Sequence, residues 1–216
     1  VSVKKVHGRF LAAERSLAEA RRSWDRVPRW VRRCLEWALP VPLLALDERG
    51  RRLHEALLGL ERSCREVALS EEVLRAYPAR LLPEHGGRYR SSDFAMDPAN
   101  PLRPPPAGEV PRRMRLLEAR LQGWQEAWDR APDPEEVFRR AVELHWTLGR
   151  IHPFADGNGR VARLAMNHLL RRYGRGYVIY PSLGESDRFW ELLQRAGSPE
   201  GLSALVDFAR TCEERP

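Results

Sequence analysis

The residues from Ile151 to Arg163, Ile-His-Pro-Phe-Ala-Asp-Gly-Asn-Gly-Arg-Val-Ala-Arg, gather an imidazole, a carboxylate, a Gly-Asn-Gly turn and two guanidiniums in one short stretch. Each of these types suits phosphate chemistry. Gly157 and Gly159 let the backbone take positive φ and turn its N–H groups inward around an anion. The apolar spacing that follows (Val161, Leu164, Ala165, Leu169) predicts a helix whose positive N-terminal end adds to the same spot. Arg160 and Arg163 stand three apart, hence on one face of that helix, where both could grip phosphate oxygens. Asp156 is a hard oxygen ligand suited to Mg2+, an ion commonly held by one or two carboxylates plus substrate phosphates. The unperturbed pKa of a histidine lies near working pH, so His152 can take a proton from an attacking hydroxyl. Any one of these residues also fits a tight charged turn capped by His152. The full set at this spacing argues for a site.

Helices must position that stretch, and the chain is rich in helical spacing. Residues 3–38 predict helix, divided at Pro28, and Pro40 and Pro42 then break the chain. Residues 51–68 predict a strong helix. Ser70-Glu71-Glu72-Val73 predicts a helix start, with Ser70 as N-cap and Pro78 as the end. From Glu84 to Gly108 the composition shifts to Gly, Pro, Ser and Asn; a small irregular hairpin over 88–106 and a structureless linker both fit. Pro111 to Trp128 carries Met114, Leu117, Leu121, Trp124 and Trp128 at helical steps. Asp133-Pro134-Glu135-Glu136 is a helix N-terminus, and its helix runs up to Gly149 with His145 as a structural histidine on the apolar face. The motif helix spans 158–173, stopped by Gly174. Two more helices are expected over 187–196 and 202–212. The expectation is a mostly α fold with one short β-hairpin.

Composition narrows the function classes. At 216 residues, 43% hydrophobic and 31% charged, the chain has room for one sizeable domain, or a core domain with an extension, and is not a disordered type. No apolar run approaches a membrane span, and no secretory signal is evident at the start, so a cytoplasmic (bacterial) protein or a delivered effector is expected. Cys34, Cys64 and Cys212 are scattered and odd in number, which suggests reduced thiols and no zinc site. The net charge of +7 is almost wholly arginine, since only Lys4 and Lys5 are lysines. Arginines spread along the whole chain read as solvated helix faces, and no recognised nucleic-acid motif accompanies them.

Written as His-x-Phe-x-Asp-Gly-Asn-Gly-Arg-x-x-Arg, residues 152–163 match in full the signature of the Fic (filamentation induced by cAMP) family, and the chain resembles a Fic-domain protein. The resemblance extends to Gly87-Arg88-Tyr89-Arg90 with the Pro104-Pro105-Pro106 run, similar to the family's segment ahead of its active site. It also takes in Ala141-Val142-Glu143-Leu144-His145. It covers residues 70–210, so residues 1–69 are expected to form a helical, basic N-terminal extension to a catalytic core over 70–216.

The resemblance implies a helical bundle around the motif loop and helix, with a flap hairpin at 88–106 whose edge pairs with an extended piece of a target protein. It implies His152 as general base, Phe154 as the buried anchor of the loop and Asp156 as the Mg2+ ligand. Gly157, Asn158, Gly159, Arg160 and Arg163 would hold the phosphates of ATP, and Phe189 and Trp190 stand where paired aromatics approach the nucleobase. The implied reaction is AMP transfer to a Ser, Thr or Tyr hydroxyl, releasing pyrophosphate. The alternatives are transfer of UMP, phosphocholine or phosphate, a protein-binding module, or a basic nucleic-acid-binding protein. Gly159 stands where the phosphate-transferring branch typically has Lys. The family's inhibitory pattern, Ser/Thr-x-x-x-Glu-Gly/Asn, is not matched: Glu200-Gly201 has Ala196 at the Ser/Thr position. Restraint by a separate inhibitory protein, or none, is therefore expected.

Overall fold

The computed structural model describes residues 64–94, 103–178, 180 and 186–214. The helices expected over 3–38 and through most of 51–68, and the tip of the expected hairpin, lie outside the described residues. Residues 64–67, which end the second of those stretches, form a turn and a bend.

Six helices are described: α1 (Glu71–Leu81), α2 (Val110–Trp128), α3 (Pro134–Ile151), α4 (Asn158–Arg172), α5 (Ser186–Arg195) and α6 (Pro199–Thr211). Two short strands, β1 (Tyr177–Val178) and β2 (Glu213–Glu214), pair antiparallel. That ribbon was not foreseen, because two-residue strands carry too little alternation to show in a sequence.

The helix starts follow local chemistry. Ser70 Oγ accepts from Val73 N–H at 3.3 Å, and Asp133 Oδ1 accepts from Glu135 N–H at 2.9 Å. Satisfying these orphan donors fixes where α1 and α3 begin. The expected ends move. Pro78 lies inside α1, which continues until Leu82 donates its N–H to Pro78 O at 2.8 Å. Burial of Leu81 and Leu82 favours that last turn despite the missing proline N–H. Gly149 does not stop α3 either; the helix runs to Ile151, which is buried, and His152 is its cap.

Helices α3 and α4 pack most extensively against each other and form the centre of the core. Val137, Phe138, Ala141, Val142, Leu144 and Leu148 of α3 meet Val161, Leu164, Ala165 and Leu169 of α4, all buried. Helix α2 joins through Glu143, which binds Arg140 at 2.7 Å and Arg120 of α2. Gln125 of α2 holds the backbone of Leu69 from both sides, at 2.8 Å to its N–H and 2.8 Å to its carbonyl. His168 of α4 lies between Tyr77 and Val67: its Nε2 donates to the Val67 carbonyl at 2.8 Å, so its Nδ1 accepts from the Tyr77 hydroxyl at 2.7 Å. Both links fasten α1 and the turn before it to the central pair.

Candidate active site

His152 sits where α3 ends. Its N–H donates to Leu148 O at 2.9 Å, and its backbone is left-handed at φ 49° and ψ 60°. It is the one non-glycine residue with positive φ among the described residues, a conformation that costs on the order of 1–3 kcal/mol and clusters at functional sites. The ring is held as well. Nδ1 lies 3.2 Å from the Gly149 carbonyl, which can only accept, so Nδ1 carries the proton and Nε2 is the open base. Burial pushes the imidazole below its usual pKa; the nearby Arg90 guanidinium acts the same way, against the Gly149 carbonyl and the Asp156 carboxylate. A neutral imidazole at working pH follows.

The loop after His152 is pinned by Phe154 and Asn158. Phe154 is buried, with its ring 5.8 Å from that of Tyr89 and its backbone bridged to the same residue. Asn158 is also buried; its Oδ1 accepts from Phe154 N–H at 2.9 Å and its Nδ2 donates to Phe154 O at 2.8 Å. The Asn158 side chain is thus committed to the loop, and anything it offers a phosphate comes from its backbone N–H.

Helix α4 then begins without a side-chain cap. Gly157, the N-cap, has φ 78°, whereas Gly159 lies inside the first helical turn and has no positive φ, contrary to the expectation for that glycine. A Cβ at Gly159 would lie 3.5 Å from Arg163 Nη1, and one at Gly157 would lie 3.5 Å from Arg160 Nη2. Both guanidiniums therefore fold back along the first turn, toward the positive end of the helix. Arg160 Nη2 also lies 3.5 Å from Asp156 Oδ2, and Asp156 Oδ1 accepts from Gly157 N–H at 2.5 Å. Two cations and one carboxylate thus lie along the N-terminal turn of α4, which suits a phosphate chain.

Asp156 brings an exposed carboxylate, and among the described residues no group of three or more His, Cys, Asp or Glu stands together to hold a metal. The donor set fits Mg2+ bound by one carboxylate with phosphate oxygens and water, not an all-protein cage.

The two aromatics expected near a nucleobase part company. Phe189 is buried in a ring cluster with Tyr180 at 4.3 Å, His145 at 5.9 Å and Phe208 at 6.2 Å. That is core packing, which withdraws its faces from a ligand. Trp190 is half exposed, 6.3 Å from Phe189. His145 is wholly buried and pushed down to about 3 by burial and the nearby Arg163 charge, as a structural histidine would be. Glu200 of the near-miss inhibitory pattern lies in the first turn of α6, behind the N-cap Ser198.

Two residues that flank His152 carry no signal of that role in the sequence. Arg90 donates from Nε to the His152 carbonyl at 2.8 Å, and Phe94 stands edge-on to the imidazole at 4.9 Å. The segment Gly87-Arg88-Tyr89-Arg90 was legible as part of a pattern, but nothing in it said which arginine turns inward. The hairpin expected over 88–106 is not a paired ribbon in its described parts. Tyr89 bridges to Phe154, and the arms are joined by side chains: Arg90 to the Pro105 carbonyl, and Asp93 Oδ1 from Ala107 N–H at 2.5 Å.

Residues 68–170 match the Fic/DOC family. Proteins named protein adenylyltransferase Fic are similar to this chain: that of Nematostella vectensis is 32% identical over 178 residues, 80% of this chain and 38% of its own length, and that of Culex quinquefasciatus is 29% identical over 85% of this chain and 36% of its own. The chain thus spans less than two fifths of these curated relatives. Among solved structures, a Fic domain containing signaling protein from Bacteroides thetaiotaomicron shares the fold at a TM-score of 0.68 and 21% identity, covering 91% of this chain and 92% of that one. BepC from Bartonella tribocorum, solved with bound AMPPNP, matches at 0.58 and 17%, over 77% and 86%. IbpAFic2, solved covalently tethered to Cdc42, matches at 0.60 and 17%, over 91% and 68%. At these identities the structures speak for the fold. No helix among the described residues is long and apolar enough to cross a membrane.

Proposed function

We propose that this chain, whose residues 68–170 match the Fic/DOC family, is a protein AMP-transferase, moving AMP from ATP to a Ser, Thr or Tyr hydroxyl of a target protein and releasing pyrophosphate. The observation that supports this reading is a ring-held His152 with Nε2 as its basic nitrogen, followed in the chain by the uncapped start of α4, along which Arg160 and Arg163 fold back. The names of the relatives, protein adenylyltransferase Fic, and the AMPPNP bound by BepC support ATP as the donor.

In the proposed reaction the target hydroxyl attacks the α-phosphorus. A new O–P bond forms, the bond from the α-phosphorus to the bridging oxygen breaks, and pyrophosphate leaves with that electron pair. His152 Nε2 accepts the hydroxyl proton, a contribution of about 10²–10⁴-fold. Arg160, Arg163 and the backbone N–H groups at the start of α4 offset the charge that spreads over the phosphates. Asp156 would hold Mg2+, which supplies Lewis-acid polarisation of the phosphate oxygens when bound. Trp190 is the candidate base contact. The flap at 88–106 is the candidate docking edge for the target; the tethered IbpAFic2–Cdc42 pair supports a protein as the acceptor. Restraint by a separate inhibitory protein belongs to the same proposal.

Mass spectrometry of proteins recovered after incubation with ATP and Mg2+ tests it. Ser, Thr or Tyr residues carrying one AMP are the expected product; the same residues carrying phosphate alone would overturn it.

A further inference from the structure

Three backbone carbonyls from three separate segments meet on one buried guanidinium. The Arg90 side chain is 1% exposed. Its Nε donates to His152 O at 2.8 Å, its Nη1 to Ser92 O at 3.1 Å, and its Nη2 to Pro105 O. Its own backbone N–H donates to Pro153 O at 2.9 Å. We propose that Arg90 is a positioning residue that couples the target-docking flap to the general base, so that a change in the flap is felt in the orientation of His152. The proposal rests on reading His152 as the base.

The coupling follows from what each group can do. His152 is a non-glycine residue in left-handed backbone, so its conformation persists only while its surroundings hold it. Three bonds do so: N–H to Leu148 O, Nδ1 to Gly149 O and the carbonyl from Arg90. The first two come from the helix that His152 itself ends. The third comes from the flap, and it fixes the peptide plane that sets where the imidazole projects.

The other two forks of the guanidinium hold the flap's arms, Ser92 on one side and Pro105 on the other. Asp93 completes the tie: Oδ1 lies 3.6 Å from Arg90 Nη1 and accepts from Ala107 N–H at 2.5 Å. Phe94 fills the same angle, its ring 5.2 Å from the Arg90 guanidinium carbon and 4.9 Å from the His152 ring. The planar five-donor fork is what this arrangement demands, and a lysine ammonium, a compact point charge, cannot span three carbonyls set this way.

Two variants of the full chain test the coupling, read by the imidazole nitrogen resonances of His152 and by transfer kinetics. Asp93→Ala removes an exposed side chain from the flap and leaves every direct bond to His152 in place. The coupling predicts shifted His152 resonances, a several-fold higher KM for the target and unchanged ATP affinity. Arg90→Lys keeps the charge and loses the fork; kcat is expected to fall by about 10–100-fold, the scale of a small misplacement of a reacting group. Thermal unfolding identifies an Arg90 variant that does not fold, in which case Asp93→Ala decides alone. Wild-type His152 resonances in Asp93→Ala, or wild-type kcat in folded Arg90→Lys, would overturn the proposal. The resonances need no transfer activity, so a failure of the AMP-transferase reading leaves this test intact.

Discussion

Asn158 holds the backbone of Phe154 from both ends, accepting from its N–H at 2.9 Å and donating to its carbonyl at 2.8 Å, with both residues buried. One amide side chain thereby closes the loop between His152 and the start of α4. Asn158→Ala strands two buried backbone groups, a loss of about 1–3 kcal/mol for each one left unsatisfied. The expected result in urea unfolding is a lower midpoint at unchanged slope; a wild-type midpoint would contradict this role.

The two glycines of the turn are expected to respond differently. Gly157 has φ 78°, and a Cβ there would sit 3.2 Å from Leu82 Cδ1, so Gly157→Ala costs about 1–2 kcal/mol from backbone strain alone. Gly159 is helical, and alanine there favours the helix by roughly 0.5–1 kcal/mol. Gly159→Ala should therefore keep or raise the unfolding temperature and leave ATP affinity nearly unchanged, because its methyl meets Arg163 Nη1 only at an ordinary contact distance of 3.5 Å. Calorimetric unfolding and ATP titration separate the two effects.

Acid should weaken the fold ahead of any carboxylate effect. Burial depresses His145 to about 3 and His168 to about 4. Below an ordinary histidine value of about 6.5 the unfolded chain binds protons that the folded chain refuses. Stability from these two groups is complete above that value and declines as pH falls toward 4 and then 3. Urea unfolding at pH 7, 6 and 5 is expected to show a steady loss; a flat profile would contradict it. Activity should also rise with pH through a His152 inflection below about 6.5, since burial lowers that group and the neutral form is the base.

The helical plan and the motif residues were readable in the sequence because apolar spacing and helix caps are local. Ser70 and Asp133 cap the helices they were expected to cap, and Gly174, with φ 77°, follows the end of α4. What was not readable depends on contacts across the fold. Pro78 fails to stop α1 because Leu81 and Leu82 are buried. Phe189 turns into a ring cluster while its neighbour Trp190 stays exposed, a choice made by Tyr180 and Phe208 and not by spacing. Arg90 looks like any of the surface arginines until the carbonyls of Ser92, Pro105 and His152 surround it.

Arg163 and Asp156 should separate nucleotide from metal. A charge-assisted hydrogen bond is worth about 1.5–3 kcal/mol. Arg163→Ala is thus expected to weaken ATP binding by roughly 10–150-fold. Asp156→Ala should raise the Mg2+ concentration needed for transfer, and a chelator should abolish transfer by the parent chain. Unchanged ATP affinity in the arginine variant would contradict its assignment.

The most direct measurement compares label transfer from ATP labelled at the α-phosphate with ATP labelled at the γ-phosphate, in the parent chain and in His152→Ala. The account predicts protein bands from the α-label alone, lost in the variant while ATP binding persists. Bands from the γ-label alone, or α-labelled bands that survive in His152→Ala, would contradict it.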